Sequence, residues 1–417
     1  MTEIANTPEL RFPNYENSWF SYKLNDISER VTRKNKNLES QRPLTISGQL
    51  GLIDQIEYFN KSVSSKNLTG YTLIKKGEFA YNKSYSNGYP LGAIKKLERY
   101  DLGILSSLYI CFSFDENIDK SFMKNYFEST KWYREVANIA VEGARNHGLL
   151  NIPVNDFFNI NINLPIQYEQ EKIGEFFSKL DRQIELEEQK LEKLEEQKKG
   201  YMQKIFSQEL SFKDKHGNSY PNWKELNFFD VLDKIIDFRG RTPKKLNMDW
   251  SNAGYLALSA VNVKKGYIDY NVEAKYGGKE LYKKWMKGNE LQKGQVLFTT
   301  EAPMGNVAQV PDNKGYILSQ RTIAFNTNEK ITNDFLASLL SSKKVYNKLL
   351  RLSSGATAKG VSQKTLKSLY VTIPISIEEQ QKIGEFLKKI DNLINKQFNK
   401  VYLLKERKKG FLQKMFV

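Results

Sequence analysis

Two stretches of the chain carry apolar residues at alternating steps of four and three. In the first, residues 167–208, they are Ile173, Phe177, Leu180, Ile184, Leu191, Leu194, Tyr201 and Ile205, with Glu187 and Lys198 in the two gaps. In the second, from Glu378 onward, they are Ile383, Leu387, Ile390, Ile394, Val401, Leu404, Phe411 and Met415, with Gln397 and Lys408 in the gaps. Neither stretch contains a proline. A four-three ladder puts its apolar residues in one seam of a helix and predicts a coiled coil. At 1.5 Å per residue each helix would run ~60 Å. The charged run 185–199 is then the solvated outside of a helix rather than a catalytic surface. Elsewhere the pattern is shorter. Runs rich in Tyr, Phe, Ile and Val at 71–74, 78–82, 105–114, 295–299 and 316–325, broken by Gly and Asn, read as strands and turns. Residues 121–141 and 333–351 read as helical.

The two ladders belong to a duplication. Glu169-Gln170-Glu171-Lys172-Ile173-Gly174-Glu175-Phe176 returns as Glu379-Gln380-Gln381-Lys382-Ile383-Gly384-Glu385-Phe386. Lys198-Lys199-Gly200-Tyr201-Met202-Gln203-Lys204-Ile205-Phe206 returns as Lys408-Lys409-Gly410-Phe411-Leu412-Gln413-Lys414-Met415-Phe416, at the same offset of 210. Fainter echoes precede each copy. Glu9-Leu10 and Phe12 match Glu209-Leu210 and Phe212, each set leading to a tryptophan, Trp19 or Trp223. Pro90-Leu91-Gly92 resembles Pro303-Met304-Gly305, and an alternating strand ending in Pro165 or Pro374 leads into each helix. The expected fold is mixed α/β (α+β): two domains of twisted, mainly antiparallel sheet plus helices, separated by two long helices, with a pseudo-two-fold internal duplication. The expected boundaries are 1–165, 166–208, 209–375 and 376–417. Two copies related by a two-fold run antiparallel, which predicts an antiparallel coiled coil with one domain at each end of a rod. The alternative is two separate helices, each docking on another protein.

Composition narrows the partners. The chain has 417 residues, with 64 Lys+Arg against 48 Asp+Glu and a net charge of +16. A hydrophobic fraction of 40% allows sizeable cores. The positive balance points first to nucleic acid and second to an acidic membrane surface. No apolar run approaches ~18 residues, so no spanning helix is expected. The start lacks a basic-then-apolar pattern, so secretion is not expected. Cys111 is the single cysteine, which excludes a disulfide and fits a reducing cytoplasm; with His147 and His216 it is too few for a structural zinc. The apolar run around Cys111 makes it a buried thiol.

Candidate DNA contacts are basic and amide residues in polar, turn-like settings. In the first domain they are Arg33, Lys34, Lys36, Lys83, Tyr85, Asn87, Arg145 and Asn146. In the second they are Arg239, Arg241, Thr242, Lys244, Lys245, Lys264, Lys265, Gln320, Arg321, Lys359 and Lys364. Lys and Arg neutralise phosphates, Arg also pairs with guanine, and Asn or Gln pairs with adenine. Catalytic signatures are missing. No two glycines are separated by one residue, no GxxxxGK[ST] occurs, and no two prolines are adjacent, which excludes the Pro-Pro motif of amino-methyltransferases. Pro311-Asp312 has no nearby acidic-x-Lys to complete a nuclease signature. No catalytic residue and no metal ligand is assigned.

The duplicated layout, the Pro-to-Glu-Gln-x-Lys-Ile start of each helix and the Gly240-Arg241-Thr242-Pro243 turn resemble the specificity subunits of type I restriction–modification systems. Pro-x-Gly at 90–92 and 303–305, and the stretch from Gly355 to Ser362, are similar as well. The first domain lacks the Gly-x-Thr-Pro turn. The resemblance implies two target-recognition domains, each reading one half of a split double-stranded DNA site, with the helices setting the unread spacer. It implies two methylation subunits carrying S-adenosylmethionine and restriction/translocation subunits carrying ATP and Mg, and no cofactor or catalysis in this chain. The competing reading is a non-catalytic coiled-coil adaptor that binds proteins rather than specific DNA. An autonomous nuclease or methylase with scattered residues is the third.

Overall fold

The structure is a computed structural model that describes residues 6–61, 63–86, 88–140, 150–272, 274–353 and 359–417. It divides into two compact units: unit 1, residues 1–188 with 400–417, and unit 2, residues 189–399.

Unit 1 is built on four antiparallel strands: β1 (Ser28–Arg30), β2 (Phe79–Asn82), β3 (Ala93–Lys96) and β4 (Ile110–Phe114), in the order β1-β4-β2-β3. The inward residues Phe79, Tyr81, Phe112 and Phe114 are all buried. They pack on α1 (Lys120–Glu128) through Phe122, Met123, Tyr126 and Phe127. Asp119 caps α1, accepting from the Phe122 N–H at 2.6 Å. The long helix α2 (Gln167–Phe206) begins in this unit.

Unit 2 repeats the plan. Its strands are β5 (Leu232–Asp237), β6 (Val296–Thr299), β7 (Val307–Gln309) and β8 (Thr322–Thr327), in the order β5-β8-β6-β7, again antiparallel. Helix α3 (Asn333–Ser341), capped by Thr332, packs as α1 does, and α4 (Ile377–Lys414) is the second long helix. The chain orders of the two sheets are therefore identical although their sequences have diverged. Among the described ladders one is parallel, Tyr255–Leu258 with Ile317–Leu318 in unit 2.

Four expected elements are each divided in two. The run 105–114 breaks at a turn, with Leu102–Leu105 pairing elsewhere, and 316–325 breaks before β8 at Arg321, whose φ is 65°. The helical runs break at Ser129 and at Ser342. Both adopt extended backbone, and the Ser342 hydroxyl caps the next helix by accepting from Val345 N. Apolar periodicity continues across such breaks, whereas capping side chains end the hydrogen-bond ladder.

The repeated Glu-Gln-x-Lys-Ile-Gly segment is the joint between each long helix and its domain. Gln170 donates to Pro165 O (2.9 Å) and accepts from Asp119 N (3.1 Å); Gln380 donates to Pro374 O (2.9 Å) and accepts from Thr332 N (2.9 Å). A Cβ on Gly174 would lie 2.4 Å from Asp119 Oδ1, and one on Gly384 would lie 2.8 Å from Asp334 Cβ, so only glycine lets the helix lie this close to the α1 and α3 caps. The neighbouring glutamates differ. Glu169 is fully buried and takes a two-pronged ion pair from Arg11, 2.7 Å at each oxygen. Glu379 is also buried, but position 211 is a serine where the first copy has Arg11. Glu379 accepts from Trp223 Nε1 at 3.1 Å, its second oxygen has no hydrogen-bond partner among the described residues, and burial raises its pKa.

Inside each unit the helix segments run antiparallel. In unit 1, falling positions in α2 meet rising positions in α4: Glu187 with Lys400 (2.9 Å), Asp181 with Lys408 (2.6 Å), and Phe177 stacked on Phe416. In unit 2, Lys198 pairs with Asp391, and Tyr201 meets Phe386 edge-on. Ile173, Phe177, Leu180, Ile184 and Val401 are buried in unit 1, with Leu404 half-buried. In unit 2 Ile383 and Leu387 are buried, and Leu191, Leu194, Ile390 and Ile394 are half-buried. The seam gaps hold these polar groups: Glu187 is buried, and Lys198 and Lys408 are half-buried in their ion pairs.

The C-terminal residues complete unit 1. Phe416 packs against Trp19, Phe122 and Tyr126, and Leu10 N donates to Lys414 O at 2.9 Å. Unit 2 builds the same junction from continuous chain, with Phe206 against Trp223 and Phe335, and Leu210 N donating to Lys204 O at 3.0 Å.

Arg11→Ala leaves Glu169 buried and unpaired, and is expected to destabilise unit 1 by about 3–5 kcal/mol in denaturant titration. Glu379 has a folded-state pKa above its unfolded value, so its ionisation opposes folding as pH rises through that range. Glu379→Gln is therefore expected to raise the thermal midpoint at pH 7 and to have little effect near pH 4. In unit 2, Lys198→Asp or Asp391→Lys alone should weaken helix pairing, and the double swap should recover most of the loss. A coupling near zero against an expected ~1 kcal/mol would remove this pair as a register determinant.

Candidate nucleic-acid interface

Strand register decides which loops share an end of each sheet. In unit 2, Asp237 closes β5 opposite Ile323, Thr322 opens β8 opposite Thr299 at the close of β6, and Val307 opens β7 opposite Phe298. The loops leaving these residues therefore emerge together. They carry Arg239, Arg241, Thr242, Lys244 and Lys245 after β5, Glu301 to Gly305 between β6 and β7, and Gln320 and Arg321 before β8.

Hydrogen bonds tie these loops to one another. Gln320 Nε2 donates to Arg241 O (3.1 Å), Thr300 N to Arg321 O (2.8 Å) and Val361 N to Thr300 O (2.9 Å). Gln363 Nε2 donates to Asp237 Oδ2 (3.2 Å), which brings the helical turn Gln363–Lys367, with Lys364 exposed on it, to the same end. Lys359 is exposed beside Gly360, which bridges to Glu301. Lys264 and Lys265 occupy a turn whose Gly266 N donates to Val307 O at 2.7 Å, so they too reach this end.

The basic residues are not equivalent. Arg241 is half-buried. Its guanidinium lies 4.2 Å from the centre of the Phe238 ring and bonds the Trp285 carbonyl. Arg239 reaches Val361 O at 3.4 Å, and Lys245 Nζ donates to Gly240 O at 2.7 Å. Gly240 has φ 76°, and Pro243 begins a short 3₁₀ turn, so the Gly-Arg-Thr-Pro motif shapes this loop. Thr242 is half-buried and Lys244 exposed.

Unit 1 has the same end, where Arg30 closes β1 opposite Phe112, Ile110 opens β4 opposite Tyr81, and Asn82 closes β2 opposite Ala93 at the start of β3. Lys83 and the exposed Tyr85 leave it in the β2–β3 link. Lys83 Nζ donates to Ile152 O (3.3 Å), and Leu150 N donates to Lys83 O (2.8 Å). Gly92 has φ 77°, and a Cβ there would lie 2.2 Å from Asn82 O. Gly305 in the matching link has φ 90°, and its Cβ would strike the Tyr346 ring at 2.6 Å. Arg33 does not join Lys83. Its Nη2 donates to both oxygens of Glu78 (2.8 and 2.7 Å), the residue preceding β2, toward the opposite end of that strand. Lys34 and Lys36 are exposed beyond it. Asn87, Arg145, Asn146 and His147 lie outside the described residues, as do Gly355, Ala356 and Thr357.

Sequence reasoning missed Glu301. Its only sequence signal is an acidic residue two places before the Pro-x-Gly motif, in an otherwise basic set of loops. Among the described residues no group of three His, Cys, Asp or Glu is arranged to hold a metal ion, and no helix is long and apolar enough to cross a membrane. Cys111 is buried in β4, and burial pushes its thiol up to about 12, so it is not a thiolate at neutral pH. Gly92→Ala forces both a left-handed alanine and a collision with backbone. It is expected to destabilise unit 1 by at least ~1–3 kcal/mol and to raise amide exchange in the β2–β3 link.

Comparison with known proteins agrees with the duplicated plan. The family described as type I restriction modification DNA specificity domain matches twice, over residues 3–196 and 221–401. The chain is similar to the type I restriction enzyme MjaVIII specificity subunit of Methanocaldococcus jannaschii: 26% identity over 73% of this chain and 68% of that protein. The putative MjaX specificity subunit of the same organism is 26% identical over 69% of this chain and 64% of its own length. The chain thus spans about two thirds of these relatives. In fold it resembles the S subunit of a type I restriction–modification system from M. genitalium, with TM-score 0.59 and 14% identity over 99% of both chains. It also resembles a chain from a study of complex assembly and conformational transition of a type I system, with TM-score 0.54 and 16% identity over 95% of this chain and 97% of that one.

Proposed function

The chain belongs to the type I restriction–modification DNA specificity family, and we propose that it selects the DNA target for such a system while other subunits perform the chemistry. Each unit reads one half of a bipartite duplex site. The observation that carries this is the matching sheet end: two sheets of identical strand order each send out a Pro-x-Gly link, with unlike polar and basic side chains around it. Identical scaffolds position two readers in the same way, and divergent loops make the half-sites different.

In this reading the target-recognition domains are 1–165 and 209–375, and the helices 166–208 and 376–417 hold them at a set spacing. A fixed spacing and rotational phase matter because duplex DNA turns every ~10–10.5 bp, and tethering makes the second half-site contact intramolecular. Lys83, Tyr85, Lys244, Lys264, Lys265, Lys359 and Lys364 are assigned to phosphate or base contact. Arg33, Arg241 and Lys245 support the loops. Lys34 and Lys36 reach the backbone farther along the duplex. The partners are double-stranded DNA, two methylation subunits docked on the helices and domains, and restriction/translocation subunits. S-adenosylmethionine, ATP and Mg belong to those partners, and the complex works in the cytoplasm.

The chain with its methylation partners should bind one duplex sequence selectively, with affinity falling steeply as salt rises. The lone chain should transfer no methyl groups. Turnover by the lone chain, or binding indifferent to sequence, would defeat the proposal. Inserting four residues, about one turn, within 187–196 is expected to lengthen the unread spacer and leave both half-sites unchanged when methylated positions are mapped genome-wide.

A further inference from the structure

Glu301 stands at the tip of the unit 2 sheet end, and its Oε1 lies 3.1 Å from Arg321 Nε. Both side chains are open to solvent, 46% and 56% exposed. Both sit on constrained backbone. Arg321 has φ 65° and Ala302, next to Glu301, has φ 48°, left-handed values uncommon for residues with a Cβ. Thr300 N donates to Arg321 O at 2.8 Å, and Glu301 bridges to Gly360, so three segments hold the pair in place. The other arginines here are bonded to backbone carbonyls: Arg239 to Val361, with Asp237 Oδ2 at a longer 3.9 Å, and Arg241 to Trp285 in the helix Lys279–Met286. Arg321 is instead held by a carboxylate on its Nε side. Its two terminal amino groups make no hydrogen bond among the described residues.

Resting on the DNA-specificity reading above, we propose that Arg321 reads a guanine in the half-site of unit 2 and that Glu301 is its positioning residue. Guanine presents two adjacent acceptors, O6 and N7, in the major groove, which suit the paired terminal N–H groups of an arginine. A carboxylate on Nε leaves that end-on pair available and biases the side chain toward one placement. The same carboxylate argues against a phosphate contact. A phosphate oxygen approaching Arg321 would be repelled by Glu301, whereas the edge of a neutral base would not. Constrained backbone at two adjoining tips is the kind of strain that collects at binding sites.

The test maps methylated positions genome-wide for the full complex carrying wild-type chain, Arg321→Ala, Arg321→Lys or Glu301→Gln. The wild-type motif should contain a G·C pair whose discrimination falls roughly 10- to 100-fold in Arg321→Ala. Glu301→Gln should relax the same pair by less, Arg321→Lys should recover part of the loss, and the other half-site should not change. A uniform fall in methylation with the motif intact would show a phosphate contact and overturn the assignment. So would relaxation of both half-sites together. Should Arg321→Ala fail to assemble, Glu301→Gln decides, because it keeps the size and polarity of the side chain; unaltered discrimination in that variant overturns the pairing. A wild-type complex with no sequence preference would instead defeat the broader reading. A bipartite wild-type motif with no G·C pair sensitive to these variants would defeat only this one.

Discussion

Asp181 bonds Lys408 in unit 1, and Asp391 bonds Lys198 in unit 2. These are the same two positions of the repeat with the roles of the two copies exchanged, as pairing of duplicated antiparallel helices requires. The constraint is a seam whose apolar ladder sets which faces meet and whose polar gaps set the register. An all-apolar seam tolerates sliding by a heptad, whereas a lysine left without its aspartate in a half-buried site is penalised. The seam therefore gives up some stability for a single alignment.

Within each unit the seam is tied to its domain through the joint at the start of the helix. Gln170 and Gln380 bond the cap of the neighbouring short helix, and Gly174 and Gly384 let the long helix lie against it. That short helix packs on the sheet whose far loops carry the basic residues. The contacts run from long helix to short helix to sheet within each unit. The two copies differ in how the joint is held: an arginine neutralises the buried glutamate in one, and a tryptophan partly satisfies it in the other. The first arrangement satisfies both oxygens, and the second leaves one bare.

The loop-bearing ends of the two sheets follow a different logic from the cores beneath them. Polar side chains there divide between those that hold loops and those that face outward. Arg241 is stacked on Phe238 and bonded to the Trp285 carbonyl, contacts that brace the loop it stands on. Arg321 is paired through its Nε with the Glu301 carboxylate. Residue type alone does not separate these roles, because arginine serves equally as a loop clamp and a base reader.

Chain periodicity and self-similarity determined the duplication, the two long helices, the seam and the mixed, mainly antiparallel domains. These are legible because a seam or a strand leaves a regular spacing that survives substitution. The repeated Glu-Gln, Gly and Pro-x-Gly positions were visible as motifs, though their purpose was not: the glycines answer to an approaching backbone or ring that the sequence does not display. Tertiary structure alone decided that Arg33 turns to Glu78 while Lys83 stays at the sheet end, that Ser129 and Ser342 end their helices, and that Glu301 meets Arg321. The two pairings depend on residues far apart in the chain being brought together by strand order and register, which leaves no local pattern to read, and the two helix ends are local caps that the continuing apolar periodicity conceals.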